Sequence, residues 1–282
     1  MSLGSNRAVA AVLARCLLEP EFQQAVSGDP RTALKKYRLS EDARSSFDRF
    51  EFEKLKSFGG LITQTQHNFL WETFPNSRSL MKHYGIEVSV FGSYRQRTQL
   101  STELSRQAKI VKFTDYLREF LLAGPNGQRC TGLLEMLLDE RIRWELQELA
   151  KRSPRRKSRQ PRLTADSREL DRLIPEFPKN VRSAEYRFDP LRLSAALQRR
   201  AFEPAHLNAR VTRLIYRVDL ATGQLSVFRA TATAWKLFQL IDGRRSVAAI
   251  LRASILNFPR SELRRYFESA YFAGLIKLRR SK

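Results

Sequence analysis

Cysteine is too scarce here for a disulfide framework. Cys16 and Cys130 are the only two in 282 residues, and two thiols also fall short of a four-ligand zinc set. Histidine is nearly as rare. His67, His83 and His206 are never three or four residues apart, so no helical ligand pair and no facial triad is encoded, and they read as packed or exposed side chains. No phosphate-gripping loop is present: Gly59-Gly60 and Gly124-Pro125-Asn126-Gly127 lack the preceding strand and the following Lys-Ser/Thr. No apolar run approaches the ~18–20 residues that cross a bilayer. Arg15 interrupts Val9 to Leu18, which removes a secretory core. The acidic pairs Glu51/Glu53 and Asp139/Glu140 have the spacing of solvated helix positions. Cys16 sits on an apolar helical face and reads as core. Cys130, after a glycine loop, is expected to be the more exposed thiol, with no His or Asp partner in view. These absences predict a cytoplasmic chain with no membrane segment, no metal or cofactor of its own, and no catalytic role by itself.

Positive charge is abundant. Lys and Arg number 51 against 29 Asp and Glu, a net +22. The excess is uneven: residues 1–150 hold 21 against 18, a balance of +3, and residues 151–282 hold the remaining 30 against 11, a balance of +19. The second half is therefore expected to meet an anionic partner: nucleic acid, an acidic peptide or an acidic protein face.

Residues 1–150 read as a helical domain. Ala8 to Leu18 has helical apolar spacing, Pro30 suits the first turn of a helix to Tyr37, and Ser40-Glu41-Asp42-Ala43 offers an N-cap. The helix begun there runs through Phe47, Phe50 and Leu55 towards Phe58, with a kink or a junction of two helices at Gly59-Gly60. Thr102 to Leu122 and Leu133 to Leu149 are strong helices. Lys151 to Arg162 contains no apolar residue and reads as a basic linker.

Residues 163–282 form the second domain, with Tyr186-Arg187-Phe188 as a candidate strand. Val211 to Val218 and Leu225 to Arg229 flank a turn and read as a hairpin. An amphipathic helix from Thr231 stops at Asp242-Gly243, Ser246 caps a second, and Ser261-Glu262 opens a third; Gly274 to Leu278 ends in an apolar strand. On the third helix Leu263, Tyr266, Phe267 and Ala270 point inward, leaving Arg264, Arg265, Glu268 and Tyr271 outward. The fold class is thus mainly α with a small α+β part: an N-terminal helical domain and a C-terminal winged-helix layout.

The hairpin, the run from Thr231 through Asp242-Gly243-Arg244-Arg245-Ser246-Val247 to Ile250, and Phe272-Ala273-Gly274-Leu275-Ile276 resemble the PqqD-like peptide-recognition domain. That domain is the recognition element of ribosomally made, modified peptides (RiPP biosynthesis). Leu17 to Phe22, Tyr37 to Ser40 and Phe58 to Ile62 resemble the helical domain of partner subunits of multinuclear non-heme iron oxidases. Length and domain order are similar to the TglI-like partners of thiaglutamate biosynthesis; the methanobactin partners (MbnC-like) are shorter, and the basic linker departs from that pattern.

The resemblance implies a non-catalytic subunit of a heterodimer, with iron held in the partner oxidase. It would capture a precursor peptide by adding a strand to the small sheet. The implied peptide-binding residues are Leu225, Val227, Arg229, Arg264, Arg265, Glu268 and Tyr271; Leu225 and Val227 read equally as inward core. An acidic leader would match the basic excess. Phe69, Trp71, Phe74 and Tyr94 are candidates for the oxidase interface, with core as the competing reading. The alternative function is a winged-helix DNA- or RNA-binding regulator, motivated by the charge and the basic run. Glu268 beside the arginines, and no Asn or Gln suited to adenine, weigh against it.

Overall fold

The computed structural model describes residues 3–97, 105–123, 129–153, 167–253 and 259–280. It is mainly helical with a small sheet component. The chain divides into two compact units, Met1–Leu137 and Leu138–Lys282. The glycine loop at 124–127, the start of the Thr102 helix and most of the basic linker lie outside the described residues.

Helices α1 (Leu3–Leu18), α2 (Pro20–Gly28), α3 (Pro30–Ala33) and α4 (Glu41–Asp48) open the first unit. Their starts are set by side-chain chemistry. The Asp29 carboxylate accepts from the Thr32 N–H at 3.1 Å with Pro30 in the first position, and the Ser40 hydroxyl accepts from the Ala43 N–H at 3.3 Å. Val12, Cys16, Val26, Leu34, Ala43, Phe47 and Leu55 bury together, so Cys16 is core.

Helix α5 (Phe52–Gln66) runs unbroken through Gly59-Gly60, and the break lies between Asp48 and Phe52 instead. The reason is contact rather than flexibility. A Cβ on Gly60 would stand 2.8 Å from the Val88 carbonyl oxygen and 3.0 Å from the Gly92 nitrogen, so α5 meets the later helix α8 (Glu87–Arg97) backbone to backbone. Alanine has the better helix propensity by about 1 kcal/mol, yet the steric term should win. Gly60→Ala is expected to cost a net ~2 kcal/mol of stability by denaturant unfolding; a more stable variant would mean that the helices do not cross there.

Helices α6 (Leu70–Thr73), α7 (Pro75–His83), α8 (Glu87–Arg97) and α9 (Arg106–Leu122) gather an aromatic core. Phe91 stacks on Phe113 with ring centroids 4.9 Å apart, and Trp71 and Tyr94 meet them edge-on at 5.3 Å. The two face-on rings and their edge-on neighbours account for the burial of this group.

Helix α10 (Leu133–Arg152) contains the division between the units. Sequence composition predicts that division after residue 150. From Leu138 onward, however, the helix turns Leu138, Ile142, Leu146 and Ala150 onto a sheet of the second unit. Lys151 and Arg152, read as linker, complete its last turn.

After α11 (Ser167–Arg172), the second unit holds β1 (Ile174–Glu176), β2 (Val181–Tyr186), α12 (Pro190–Gln198), β3 (Thr212–Val218), β4 (Leu225–Arg229), α13 (Ala232–Gln239), α14 (Val247–Ala253), α15 (Arg260–Phe272) and β5 (Lys277–Arg279). The strand expected at 186–188 is the earlier segment Val181–Tyr186; Asp189 and Pro190 end it by starting α12, the Asp189 carboxylate accepting from the Leu191 N–H at 3.0 Å. β2, β3 and β4 form an antiparallel sheet in that order, and β1 pairs with β5 separately. The β3–β4 turn is built by Asp219, whose carboxylate accepts from the Ala221 and Thr222 N–H groups at 2.8 and 3.0 Å, with Gly223 at φ 73°.

Period-two alternation gives each face of the sheet its own cover. Tyr186, Leu214, Tyr216, Val218, Leu225 and Val227 face α10 and α12. Val181, Ile215 and Phe228 face the cluster of α11 and α13–α15. Both faces are therefore buried. On the α10 side a polar network is enclosed. The Tyr216 hydroxyl donates to Asp139 Oδ1 at 2.6 Å and lies 2.8 Å from the Tyr186 hydroxyl. Arg143 binds the same carboxylate through Nε at 2.6 Å and a terminal nitrogen at 3.2 Å.

Candidate functional site

A sheet covered on both faces can receive another chain only along an edge. At the β4 edge, hydrogen bonds at the two ends fix which backbone groups are free. Ala230 N–H donates to the Arg213 carbonyl at 2.9 Å and Asp219 N–H to the Gln224 carbonyl at 2.8 Å. In an antiparallel ladder such pairs alternate, so Ser226 and Phe228 bond to β3. Leu225, Val227 and Arg229 turn their N–H and C=O groups outward, and none of these has a backbone partner among the described residues. The strand named from sequence thus offers three consecutive outward donor–acceptor sites.

The side chains of those residues behave differently. Leu225 and Val227 pack, half-buried, against the cluster on the α10 face, which is the inward reading. Arg229 is half-exposed and reaches Asp189 Oδ2 at 2.7 Å. For Leu225 and Val227 only the backbone is available to a ligand. A groove opens at the start of β4, lined by Gln147 and Ala150 of α10, by Ser153 just after it, and by Leu220 to Gly223 of the turn.

On α15 the expected outward set separates. Tyr271 is 3% exposed and belongs to the core with Leu263, Phe267 and Ala270, which corrects its placement; it follows Ala270 on the face that meets the sheet. Arg264 is committed to Asp171 of α11 through Nε at 2.8 Å and a second, shorter contact, and that pairing raises the guanidinium's pKa. Glu268 is half-buried beside Arg264. Arg265 is exposed and makes no ion pair among the described residues. Phe272, 70% exposed, is the large apolar side chain that this helix shows to solvent.

The candidates for the oxidase interface are mostly core. Trp71, Phe74 and Tyr94 are buried, Trp71 and Tyr94 within the aromatic cluster, and Phe69 is half-buried with Arg106 over its ring at 5.3 Å. Apolar surface of this unit lies elsewhere and includes a cluster on α5, where Phe58, Leu61 and Ile62 are 52%, 45% and 37% exposed. Their i, i+3, i+4 spacing is legible in the sequence. Their outward direction is not, because it depends on Gly60 facing α8.

Burial pushes the Tyr94 phenol up to about 12, and its hydroxyl has no protein partner among the described residues. Tyr94→Phe is therefore expected to hold or raise stability by ~1 kcal/mol in denaturant unfolding. A loss of that size would show that the hydroxyl is bonded in solution.

Cys130, expected to be exposed, is buried at 4%. Burial raises its thiol pKa, which is the opposite of what activates a nucleophile. Among the described residues no group of three or more His, Cys, Asp or Glu side chains is placed to hold a metal ion, and no helix is long and apolar enough to cross a membrane. Asp139, expected at a solvated helix position, is buried; the i, i+4 spacing to Arg143 is a visible sign of pairing, but nothing local signals burial under a sheet. Neither a protein-family model nor a curated protein matches this sequence.

Proposed function

We propose that this chain is a non-catalytic recognition subunit. Its C-terminal unit, read as a winged helix of the PqqD-like kind, binds the leader of a ribosomally made precursor peptide as an added strand on β4. Its helical unit docks an iron-dependent oxidase that modifies the peptide, a thiaglutamate-type reaction on cysteine. The observation that carries the reading is the outward row of backbone groups at Leu225, Val227 and Arg229 on a sheet whose faces are both occupied. Strand addition draws affinity from those groups and selectivity from nearby charge. The charge balance of +19 over residues 151–282 favours an acidic leader. Arg229 and Arg265 are the candidate side chains still exposed to a ligand. Phe58, Leu61 and Ile62 replace the buried aromatics as the docking surface for the oxidase.

The same charge, with the basic run from Lys151 to Arg162, supports a second reading as a nucleic-acid-binding regulator. One pair of titrations separates the two. The precursor peptide encoded beside such an oxidase should bind at physiological salt, and the tagged oxidase should copurify with the chain. Phe58→Asp with Ile62→Asp should abolish copurification while leaving peptide binding intact. Tight binding to duplex DNA with none to the peptide would overturn the recognition reading.

A further inference from the structure

The sheet has a second edge, and it is better furnished than the first. Val218 N–H donates to the Asn180 carbonyl at 3.0 Å, so by the same alternation Arg182 and Ala184 bond to β3. Ser183 and Glu185 then turn their N–H and C=O groups outward from β2, without a backbone partner among the described residues. Immediately beside Ser183 lies a pocket walled by Phe177, Trp235, Phe238 and Ile241. Phe177 is 39% exposed and meets Phe238 at 5.9 Å between ring centroids. Ser183 projects to the same side of the sheet as Ile215 and Phe228, the side of α13, and its small side chain leaves the pocket open.

The charge around this edge is one-sided. The neighbouring carboxylates are already engaged: Glu185 with Arg213 at 2.7 Å, Glu176 with Arg279 at 3.4 Å and Asp242 with Arg245 at 2.8 Å. Lys179, Arg182 and Lys236 are exposed and have no carboxylate partner among the described residues. The chain's own segment 154–162 does not suit this site, being basic and without an apolar residue.

We propose that the β2 edge is a second peptide-docking site, which takes an extended acidic segment and buries one large apolar side chain in the Phe177–Trp235 pocket. The backbone of the segment pairs with Ser183 and Glu185. The residue opposite Ser183 points to the pocket side, because directly opposed residues share a face. Carboxylates along the segment meet Lys179, Arg182 and Lys236. This site is independent of the β4 edge, and the test keeps the two apart.

The probes are fluorescein-labelled ten-residue peptides, Asp/Glu-rich with a single central Leu or Trp, with Lys-rich and Gly-centred versions as controls, titrated by anisotropy against the full chain. The acidic, apolar-centred peptides should bind best. Ser183→Pro removes only an outward N–H, since edge strands accept proline where no ladder bond is lost, and it should weaken binding by about tenfold or more. Lys236→Glu, at an exposed helix position with no folding consequence, should do the same. Amide hydrogen exchange at Ser183 and Glu185 should slow when the peptide is bound. Val227→Pro on the β4 edge should leave this binding unchanged. Equal binding of acidic and basic peptides overturns the proposal. So does loss on Val227→Pro with none on Ser183→Pro and Lys236→Glu, which would place the peptide on β4 and leave the leader-binding reading intact.

Discussion

Asp139→Ala should destabilise the C-terminal unit by about 3–5 kcal/mol, as removal of one partner from a buried pair does. For a unit of this size, that loss lowers the melting temperature by roughly 10–16 °C. The carboxylate is the acceptor for three donors: the Tyr216 hydroxyl and two nitrogens of Arg143. Without it, Arg143 keeps a charge that is largely covered, and the Tyr216 hydroxyl loses its charged acceptor and is left with the Tyr186 hydroxyl. Burial, reinforced by the Asp139 charge, pushes the Tyr216 phenol far above its ordinary range, so the hydroxyl stays a donor throughout the pH range in which the fold survives. Tyr216→Phe should cost less, about 1–3 kcal/mol, because Arg143 still satisfies the carboxylate. The triple change Asp139→Leu, Arg143→Leu and Tyr216→Phe should recover most of the loss, since a well-packed apolar set often matches a buried ion pair. An unchanged melting temperature for Asp139→Ala would show that α10 does not rest on the sheet through this network.

Proline scanning along β4 should produce an alternation of large effects. Phe228→Pro removes an N–H that bonds to β3 and inserts a ring into the ladder, so it should cost about 3 kcal/mol or more and leave the unit largely unfolded at body temperature. One residue away, Val227→Pro removes an N–H that points outward. Its fold should survive, with a loss of about 1–2 kcal/mol from the trimmed contact with the α10-facing cluster. Its capacity to accept a leader peptide should fall by about tenfold or more, because a backbone donor is gone and the ring occupies the space of the incoming strand. Circular dichroism reads the first effect and a binding titration reads the second. A Val227→Pro chain that folds and binds the leader normally would remove β4 from the recognition reading and leave the β2 edge as the place to look.

Much of the fold was legible because local chemistry wrote it. Ser40 and Pro30 mark helix starts, and β-branched and aromatic runs on either side of a glycine turn mark the hairpin. Asp242 with Gly243 at φ 70° marks a stop; Asp242 is held well below the ordinary carboxylate range by bonds from the Arg245 and Arg244 N–H groups. Directions that depend on a distant neighbour were not legible. Gly59-Gly60 carries the composition of a break, yet Gly60 is a contact surface for α8. Tyr271 carries the pattern of an outward tyrosine, yet it is core. Trp71 and Tyr94 could be weighed only between surface and core until α9 brought Phe113 against them. For the candidate site, the strand could be named from sequence. Which half of its amides is free required the register, which two hydrogen bonds at its ends supply.

Enclosure of the sheet on both faces also constrains what any strand-forming ligand can be. Contact through an edge alone is made with the ligand's main chain, and only every second of its amides faces the protein. Replacing a ligand's peptide N–H groups one at a time with N-methyl groups should therefore give a sawtooth of affinities with a period of two, whatever its side chains. Mutations in the ligand that keep an extended backbone should be absorbed with small losses. Such a surface would let one recognition subunit serve a set of related peptides whose sequences drift, with the spacing of their amides as the shared feature.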